Sequence, residues 1–129
     1  MISKDAIGQE SEVMTTRIEA ENVRRFTEAL GFPYAGEVPP TFIITFSGGT
    51  VPGLDLPEKG LIHGGQKFTY YRPLKVGDVL NYKRRVKDVY ERAGKLGKMT
   101  FVVQEMEGRS ATGDLVFMAT STLIAREVG

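Results

Sequence analysis

The apolar positions in the first third of the chain follow a helical period over one short segment. Val23, Phe26 and Leu30 fall at i, i+3 and i+7, the spacing that gives a helix a single apolar stripe. Gly31 stands directly after the stripe, where glycine commonly ends a helix. The pattern therefore predicts one short amphipathic helix, preceded by a short strand over residues 12–18.

A compact apolar run over residues 41–46 fits either a buried strand or a buried helix, because periodicity does not separate the two. Pro39 and Pro40 suit the first turn of a helix, and Gly48 with Gly49 suits its exit. The β-branched residues of the run favour a strand instead. We expect a helix here.

From Gln66 onward the pattern changes to period two, since Phe68 and Tyr70 alternate with more polar neighbours until Pro73. Further alternating segments are separated by turn-forming residues, and they cover residues 79–90, 99–103 and 115–125. Four strands thus follow the helical part of the chain. Helices followed by consecutive hairpin-linked strands predict an α+β fold with an antiparallel sheet, rather than a parallel doubly wound sheet.

The composition predicts one ordinary globular domain over residues 1–129, since the chain is 41% hydrophobic and 26% charged. A net charge of +1 gives no uniform field for nucleic acid or anionic membranes, so neither is an expected partner. The start of the chain is charged where a signal peptide needs an apolar run, and no stretch is as apolar as a membrane span. We expect a cytoplasmic protein.

The sequence lacks the motifs that usually indicate several classes of reaction. The chain has no phosphate loop, no dinucleotide-binding fingerprint, no HExxH motif and no GxSxG motif. With no cysteine and only one histidine, His63, a metal site would have to be built from carboxylates, and no spacing of the EF-hand kind occurs. We therefore predict no metal site.

The most informative stretch is residues 60–80, which read GLIHGGQKFTYYRPLKVGDVL. Together with PPTF at residues 39–42 and GDLV at residues 113–116, it resembles the N-terminal domain of MaoC-like dehydratases and hydratases. The likeness extends over residues 17–126, with the motifs in the same order. It implies the hot-dog fold, in which a strongly curved antiparallel sheet wraps around a central helix, here opened by residues 40–46.

The resemblance also implies what the domain binds. Two hot-dog domains pair in this family, and an acyl thioester of coenzyme A or acyl carrier protein lies between them as the substrate, without a further cofactor. Catalytically active domains carry a motif of the form F-x-x-L-S-G-D-x-N-P-x-H, whose Asp and His act on water and on the proton next to the thioester. Hydration adds groups to two neighbouring carbons, and one isolated side chain serves that chemistry badly.

The corresponding segment of this chain, residues 26–36, reads FTEALGFPYAG and contains neither the Asp nor the His. We therefore predict no catalytic residue in this chain. The resemblance implies the acyl-binding half of an (R)-specific 3-hydroxyacyl-thioester dehydratase or enoyl-CoA hydratase. Its partner would be a second hot-dog subunit, as a homodimer or as a heterodimer with a chain that carries D-x-N-P-x-H.

The predicted substrate-binding residues form two groups along the chain, and they are Pro40, Thr41, Phe42, His63, Gly64 and Gly65. The first group could simply start a buried helix, or its N–H groups could face a thioester oxygen that gains negative charge. His63 could be a loop residue that bonds to backbone, a ligand contact or a catalytic group. Gly64 and Gly65 could serve backbone conformation alone or let a pantetheine chain approach closely.

Two other functions remain open at this stage. One is a homo-oligomeric module that binds acyl-CoA without catalysis. The other is an acyl-CoA thioesterase that uses His63 with a carboxylate such as Glu28 or Asp55. An HGG triplet also occurs in hot-dog thioesterases, where it precedes the central helix, whereas here it leads directly into a strand.

Overall fold

The computed structural model describes residues 4–47, 51–54, 56, 61–95 and 97–126. Two 3-10 helices, η1 (Lys4–Ala6) and η2 (Pro40–Thr45), and one α-helix, α1 (Ala20–Ala29), are combined with five strands. The strands are β1 (Met14–Arg17), β2 (Leu61–Tyr70), β3 (Val79–Gly94), β4 (Gly97–Ser110) and β5 (Leu115–Arg126). The predicted α+β class is confirmed.

All five strands belong to one antiparallel sheet with the order β1-β3-β4-β5-β2. The strands are longer than the sequence pattern predicts: β2 begins at Leu61 rather than Gln66, and β3 extends to Gly94. β4 continues through Gly108, where a turn was predicted. Backbone hydrogen bonds to a neighbouring strand extend each strand beyond the positions at which apolar and polar side chains alternate. Bulges interrupt three of the strand pairings.

Helix α1 confirms the amphipathic helix of the sequence. Val23 is fully buried and Phe26 is half-buried, whereas Leu30 lies beyond the last helical residue and is 53% exposed. Gly31 ends the helix with a φ of +87°, and its N–H donates to the Glu28 carbonyl at 3.0 Å. The helix therefore begins and ends close to where the sequence predicts.

The run over residues 41–46 forms the short 3-10 helix η2 rather than the opening of a longer α-helix. Pro40 stands at its first position, and its ring fixes a helical φ there. The helix ends at Thr45, because Phe46 has extended backbone angles with φ −68° and ψ 121°. Gly48 and Gly49, which were predicted to form the exit, lie outside the described residues.

Two hydrophobic clusters lie against the sheet. The first joins η2 and α1 to the sheet through residues such as Phe42, Ile43, Leu80 and Phe117. The second packs Val51 against Val86, Val89, Val102 and Ala125 at the other end of the sheet. No helix in the described part of the chain is long and apolar enough to cross a membrane.

The connection from β2 to β3 is fixed by one carboxylate. Arg72 donates to Asp78 from Nη1 at 2.9 Å, and the Lys75 N–H donates to the same carboxylate at 2.8 Å. Gly77 adopts a φ of +94° beside them, which a side chain would strain. Burial opposes ionisation of Asp78, but these hydrogen bonds outweigh it and lower its pKa. The Arg72, Gly77 and Asp78 motif thus has a structural role.

Candidate functional site

Helix η2 lies at the centre of the candidate site, because cavities open on several sides of it. Its first turn closes when the Phe42 N–H donates to the Pro39 carbonyl at 3.0 Å, and the Thr45 hydroxyl donates to the Phe42 carbonyl at 2.8 Å. Phe42 and Ile43 point into the core, while Ile44 remains 55% exposed. One face of η2 is therefore anchored in the core, and another face is accessible to solvent.

A cavity of about 480 Å³ lies between helix η2, α1 and strands β1 and β3. Its apolar wall is aromatic and consists of Phe26, Phe42, Phe46 and Tyr82. The Phe42 ring meets Phe26 edge to face at 5.5 Å, and the Phe46 ring stacks on Tyr82 at 5.1 Å. A cavity of this size with an aromatic wall suits an apolar chain of a small ligand.

The two arginines that line this cavity are engaged with carboxylates on the same surface. Arg25 Nε lies 3.2 Å from Glu21, and Arg17 Nε lies 3.8 Å from Glu19. Local charge is therefore balanced by neighbouring glutamates. The arrangement favours a neutral apolar ligand over an anion.

A second cavity, of about 430 Å³, lies at the start of η2 and is lined by Val38, Pro40 and residues 70–74. Here the Tyr70 hydroxyl donates to the Pro40 carbonyl and ties η2 to the end of β2. Burial raises the pKa of Tyr70 to about 12, so this phenol is neutral and remains a donor at neutral pH. Tyr70 is thus an anchor for the first turn of η2.

The first turn of η2 provides few donors for a thioester oxygen. Pro39 and Pro40 have no N–H group, and the Phe42 N–H is engaged by the Pro39 carbonyl. Thr41 is thus the first residue of this turn whose N–H could face a ligand. The contact between Thr41 and a ligand stays a prediction. The ring of Phe42 lines the aromatic cavity.

His63, Gly64 and Gly65 lie within β2, so His63 is a strand residue and not a loop residue. His63 is exposed and stands opposite Leu123 of β5. Tyr70, which contacts Pro40, stands seven residues further along the same strand, or roughly 23 Å at the usual rise. His63 therefore lies far along the strand from the residue that contacts Pro40, and the substrate contacts of both groups stay predictions.

The two glycines differ in their surroundings. A Cβ at Gly64 would lie 2.9 Å from Ile124 Cδ1, so the missing side chain makes room for a residue of the same chain. Gly64 also sits at the irregularity between His63 and Gly65 in the β2–β5 pairing. A Cβ at Gly65 would meet no atom within 4 Å. Gly64 thus serves packing, whereas Gly65 faces space that a ligand could occupy.

The sequence offers two carboxylates, Glu28 and Asp55, as possible partners of His63 in thioester hydrolysis. Glu28, one carboxylate considered as a partner of His63, lies on α1 and forms an ion pair with Arg24 at 3.4 Å. Asp55, the other one, lies outside the described residues. Across the described part of the chain, no group of three His, Asp or Glu side chains could hold a metal ion.

Sequence reasoning did not identify Phe26, Phe46 and Tyr82 as walls of a cavity. Phe26 was visible in the apolar stripe of α1, and the alternation in β3 includes Tyr82. Both signals indicate burial, yet burial alone does not distinguish a packed core from a cavity wall. The combination of Phe26, Phe46 and Tyr82 requires contacts between α1, η2 and β3.

Comparison with known proteins identifies a family and its relatives. A family model described as FAS1-like, dehydratase domain region, matches residues 5–119. A UPF0336 protein from Streptomyces avermitilis is 33% identical over 127 aligned residues, covering 82% of each chain.

Solved structures share the fold at low sequence identity. The C-terminally truncated HadBC (3R-hydroxyacyl-ACP dehydratase) complex from Mycobacterium tuberculosis matches with a TM-score of 0.75 and 18% identity, covering 97% of this chain and 100% of that chain. The ChsH1-ChsH2 complex from the same organism matches with a TM-score of 0.72 and 16% identity, covering 98% of this chain and 88% of that chain. These matches confirm the predicted hot-dog fold.

Proposed function

Since the chain belongs to the FAS1-like, dehydratase domain region family, we propose that it is the acyl-binding half of an (R)-specific 3-hydroxyacyl-thioester dehydratase or enoyl-CoA hydratase. The predicted resemblance to MaoC-like dehydratase N-terminal domains is confirmed. Its ligand is the acyl thioester of coenzyme A or of acyl carrier protein. A second hot-dog subunit with the D-x-N-P-x-H motif supplies the acid and base.

The observation that carries this proposal is a hot-dog fold kept without the catalytic pair. The segment at residues 26–36 contains neither Asp nor His, and it lies at the end of α1 and in the turns after it. A subunit that keeps the fold and an aromatic cavity of about 480 Å³ can still bind an acyl chain. It then depends on another chain for proton transfer.

The free edge of β2 supports assembly with a second subunit. Among the described strands, β2 pairs with β5 on one side, and its other edge carries unpaired backbone groups over ten residues. Ile62 is 52% exposed on this strand, and Leu61 is 37% exposed. Antiparallel pairing with an equal strand would add roughly ten hydrogen bonds and cover these side chains.

The test is reconstitution of activity from two purified chains. This chain and a hot-dog subunit with the D-x-N-P-x-H motif are assayed for crotonyl-CoA hydration, each alone and then mixed. We expect the mixture to be at least about 100-fold faster than this chain alone, since positioned proton transfer contributes about 10²- to 10⁴-fold. Equal hydration by this chain alone contradicts the proposal.

Two further outcomes separate the other functions. Tight acyl-CoA binding in calorimetry, with no rate gain on adding a motif-bearing subunit, indicates a homo-oligomeric binding module. Release of free thiol from short or long acyl-CoA by this chain indicates a thioesterase. We expect no thiol release, because Glu28 is held by Arg24 on α1.

A further inference from the structure

A row of polar side chains crosses the concave face of the sheet. Gln66 of β2 stands opposite Ser121 of β5, and Ser121 stands opposite Gln104 of β4. Residues at alternate positions of a strand share one face, so Ser121 points the same way as the buried Phe117 and Ala119. The row therefore lies on the face of the sheet that packs the core, where Gln104 and Ser121 are partly buried and Gln66 is exposed.

This polar row separates the two hydrophobic clusters. On β5, Ala119 belongs to the first cluster and Ala125 to the second, with Ser121 between them. On β4, Met106 and Val102 flank Gln104 in the same way. Two carboxamides and a hydroxyl thus interrupt an otherwise apolar face. If this face served only to pack the core, apolar side chains at these positions would cost no stability.

The hydrogen-bonding capacity of the row is not used inside the domain. None of the three side chains forms a hydrogen bond with another described residue. No described side chain has a fully buried polar atom without a partner, so these groups reach open space. Their donors and acceptors are therefore available to a ligand.

A small cavity of about 140 Å³ is lined by two residues of the row, Gln66 and Ser121, together with Arg84, Ile44 and Phe46 among others. Gln104 does not line this cavity and stands beside it, opposite Ser121. The volume of the cavity corresponds to roughly four or five water molecules, which is room for one functional group with its adjoining carbons. Arg84 donates from Nη2 to the Phe46 carbonyl at 2.8 Å, which holds the end of η2 in place. No carboxylate lines this cavity.

We propose that Gln66, Gln104 and Ser121 form a specificity site for a neutral hydrogen-bonding group of the acyl-thioester ligand. This group has hydrocarbon on both sides, because the clusters lie on both sides of the row. Two sources have this chemistry: an oxygen substituent within the acyl chain, or an amide of the pantetheine arm. The site deepens the proposed function and rests on it, since it requires the chain to bind an acyl thioester.

The test compares coenzyme A, decanoyl-CoA and 5-hydroxydecanoyl-CoA, whose hydroxyl lies within the acyl chain, by calorimetry on the full chain. Gln104→Met keeps the length of the side chain and removes its hydrogen bonds, and Ser121→Ala is a second, smaller change. Each should weaken binding about 3- to 10-fold for the ligand whose polar group the row contacts. Two substitutions outside this row serve as matched controls. Gln9→Met makes the same change of residue type as Gln104→Met, and Thr122→Ala changes the residue next to Ser121.

The pattern of losses identifies the source of the polar group. A loss confined to the hydroxylated ligand assigns the row to the acyl chain, and an equal loss for all three ligands assigns it to pantetheine. Both outcomes support the site. Unchanged affinity of both variants for every ligand that the wild type binds overturns the site and leaves the proposed function standing. If the wild type binds none of the three, the specificity site is overturned, and the reconstitution assay decides the proposed function separately.

Stability measurements distinguish this role from a structural one. Gln104→Met joins the two hydrophobic clusters, so its urea midpoint should equal or exceed that of the wild type while ligand affinity falls. A fall in both quantities would indicate that Gln104 serves packing, and it would overturn the proposal for this residue. Ser121→Ala repeats the comparison with little change in volume.

Discussion

Gly108 provides the sharpest test of how the sheet is packed. A Cβ built at this position would overlap Cε2, Cζ and Cδ2 of Phe117, the farthest of the three at 2.5 Å. Carbon atoms in contact normally lie about 3.5–4.0 Å apart, so the ring would have to move by roughly 1 Å or more. Phe117 is fully buried, and its ring is held by Phe46 and Tyr70 at centroid distances of 6.1 Å and 6.2 Å. The ring therefore has little room to move.

The cost of Gly108→Ala follows from these contacts. Overpacking a dense core costs about 1–3 kcal/mol, and a rigid aromatic neighbour places this site at the upper end. Replacing glycine within a strand offsets about 0.5–1 kcal/mol of that cost. We expect a net loss of about 2 kcal/mol in the free energy of unfolding, against a typical total of about 5–15 kcal/mol. The variant should fold, but with a clearly reduced stability.

Urea denaturation followed by circular dichroism measures this loss. With a slope of about 2 kcal/mol per molar urea, the midpoint should fall by roughly 1 M. Gly65→Ala is the matched control, because a Cβ there meets no atom within 4 Å, and its midpoint should stay unchanged or rise by up to about 0.5 M. In a Phe117→Leu background, Gly108→Ala should cost less than about 1 kcal/mol, because the clashing ring is gone. An equal cost in both backgrounds would falsify this reasoning.

Three further predictions concern single contacts. Asp78→Asn should lower the free energy of unfolding by about 1 kcal/mol at neutral pH, after allowance for solvent screening. Because the pKa of Asp78 is lowered in the fold, this difference is complete above about pH 4 and disappears as the pH falls through the folded pKa. Urea titrations at several pH values measure the difference. Tyr70→Phe should lower the free energy of unfolding by about 0.5–1.5 kcal/mol below about pH 10, and by progressively less as the pH rises toward about 12. The variant should also lack the highest-pH step in the ultraviolet titration of the tyrosines. An unchanged titration curve rules out the raised pKa of Tyr70. Ile62→Glu should prevent assembly with a motif-bearing subunit in size-exclusion chromatography and leave the urea midpoint unchanged, whereas Val13→Glu, equally exposed but beside the opposite edge of the sheet, should assemble normally.

The sequence predicts most of the fold because local signals there agree with the tertiary structure. The stripe on α1, the stop at Gly31 and the turn around Gly77 depend on neighbouring residues, and each is found close to where it was predicted. Strand lengths depend on partners far along the chain. The alternation that begins at Gln66 marks where side chains start to pack, while the backbone already pairs from Leu61.

The candidate site was less predictable, for two physical reasons. His63 and Pro40 both belong to recognisable motifs, yet only the fold shows that Pro40 contacts Tyr70, which is seven residues along β2 from His63. The cavity beside Phe42 is formed by side chains from separate elements, and no spacing along the chain encodes its shape. Family resemblance supplied the residue types, and only the packing of η2 on the sheet showed which of them share a surface.

The two edges of the sheet are unequal, and this asymmetry limits how many copies can join. β1 has only four residues and is followed closely by α1, so its edge provides a poor template for another strand. β2 provides ten residues at the other edge. A chain with two good edges could add partners head to tail and grow into a filament. Association through the β2 edges alone ends at a closed pair, which remains a particle of defined size.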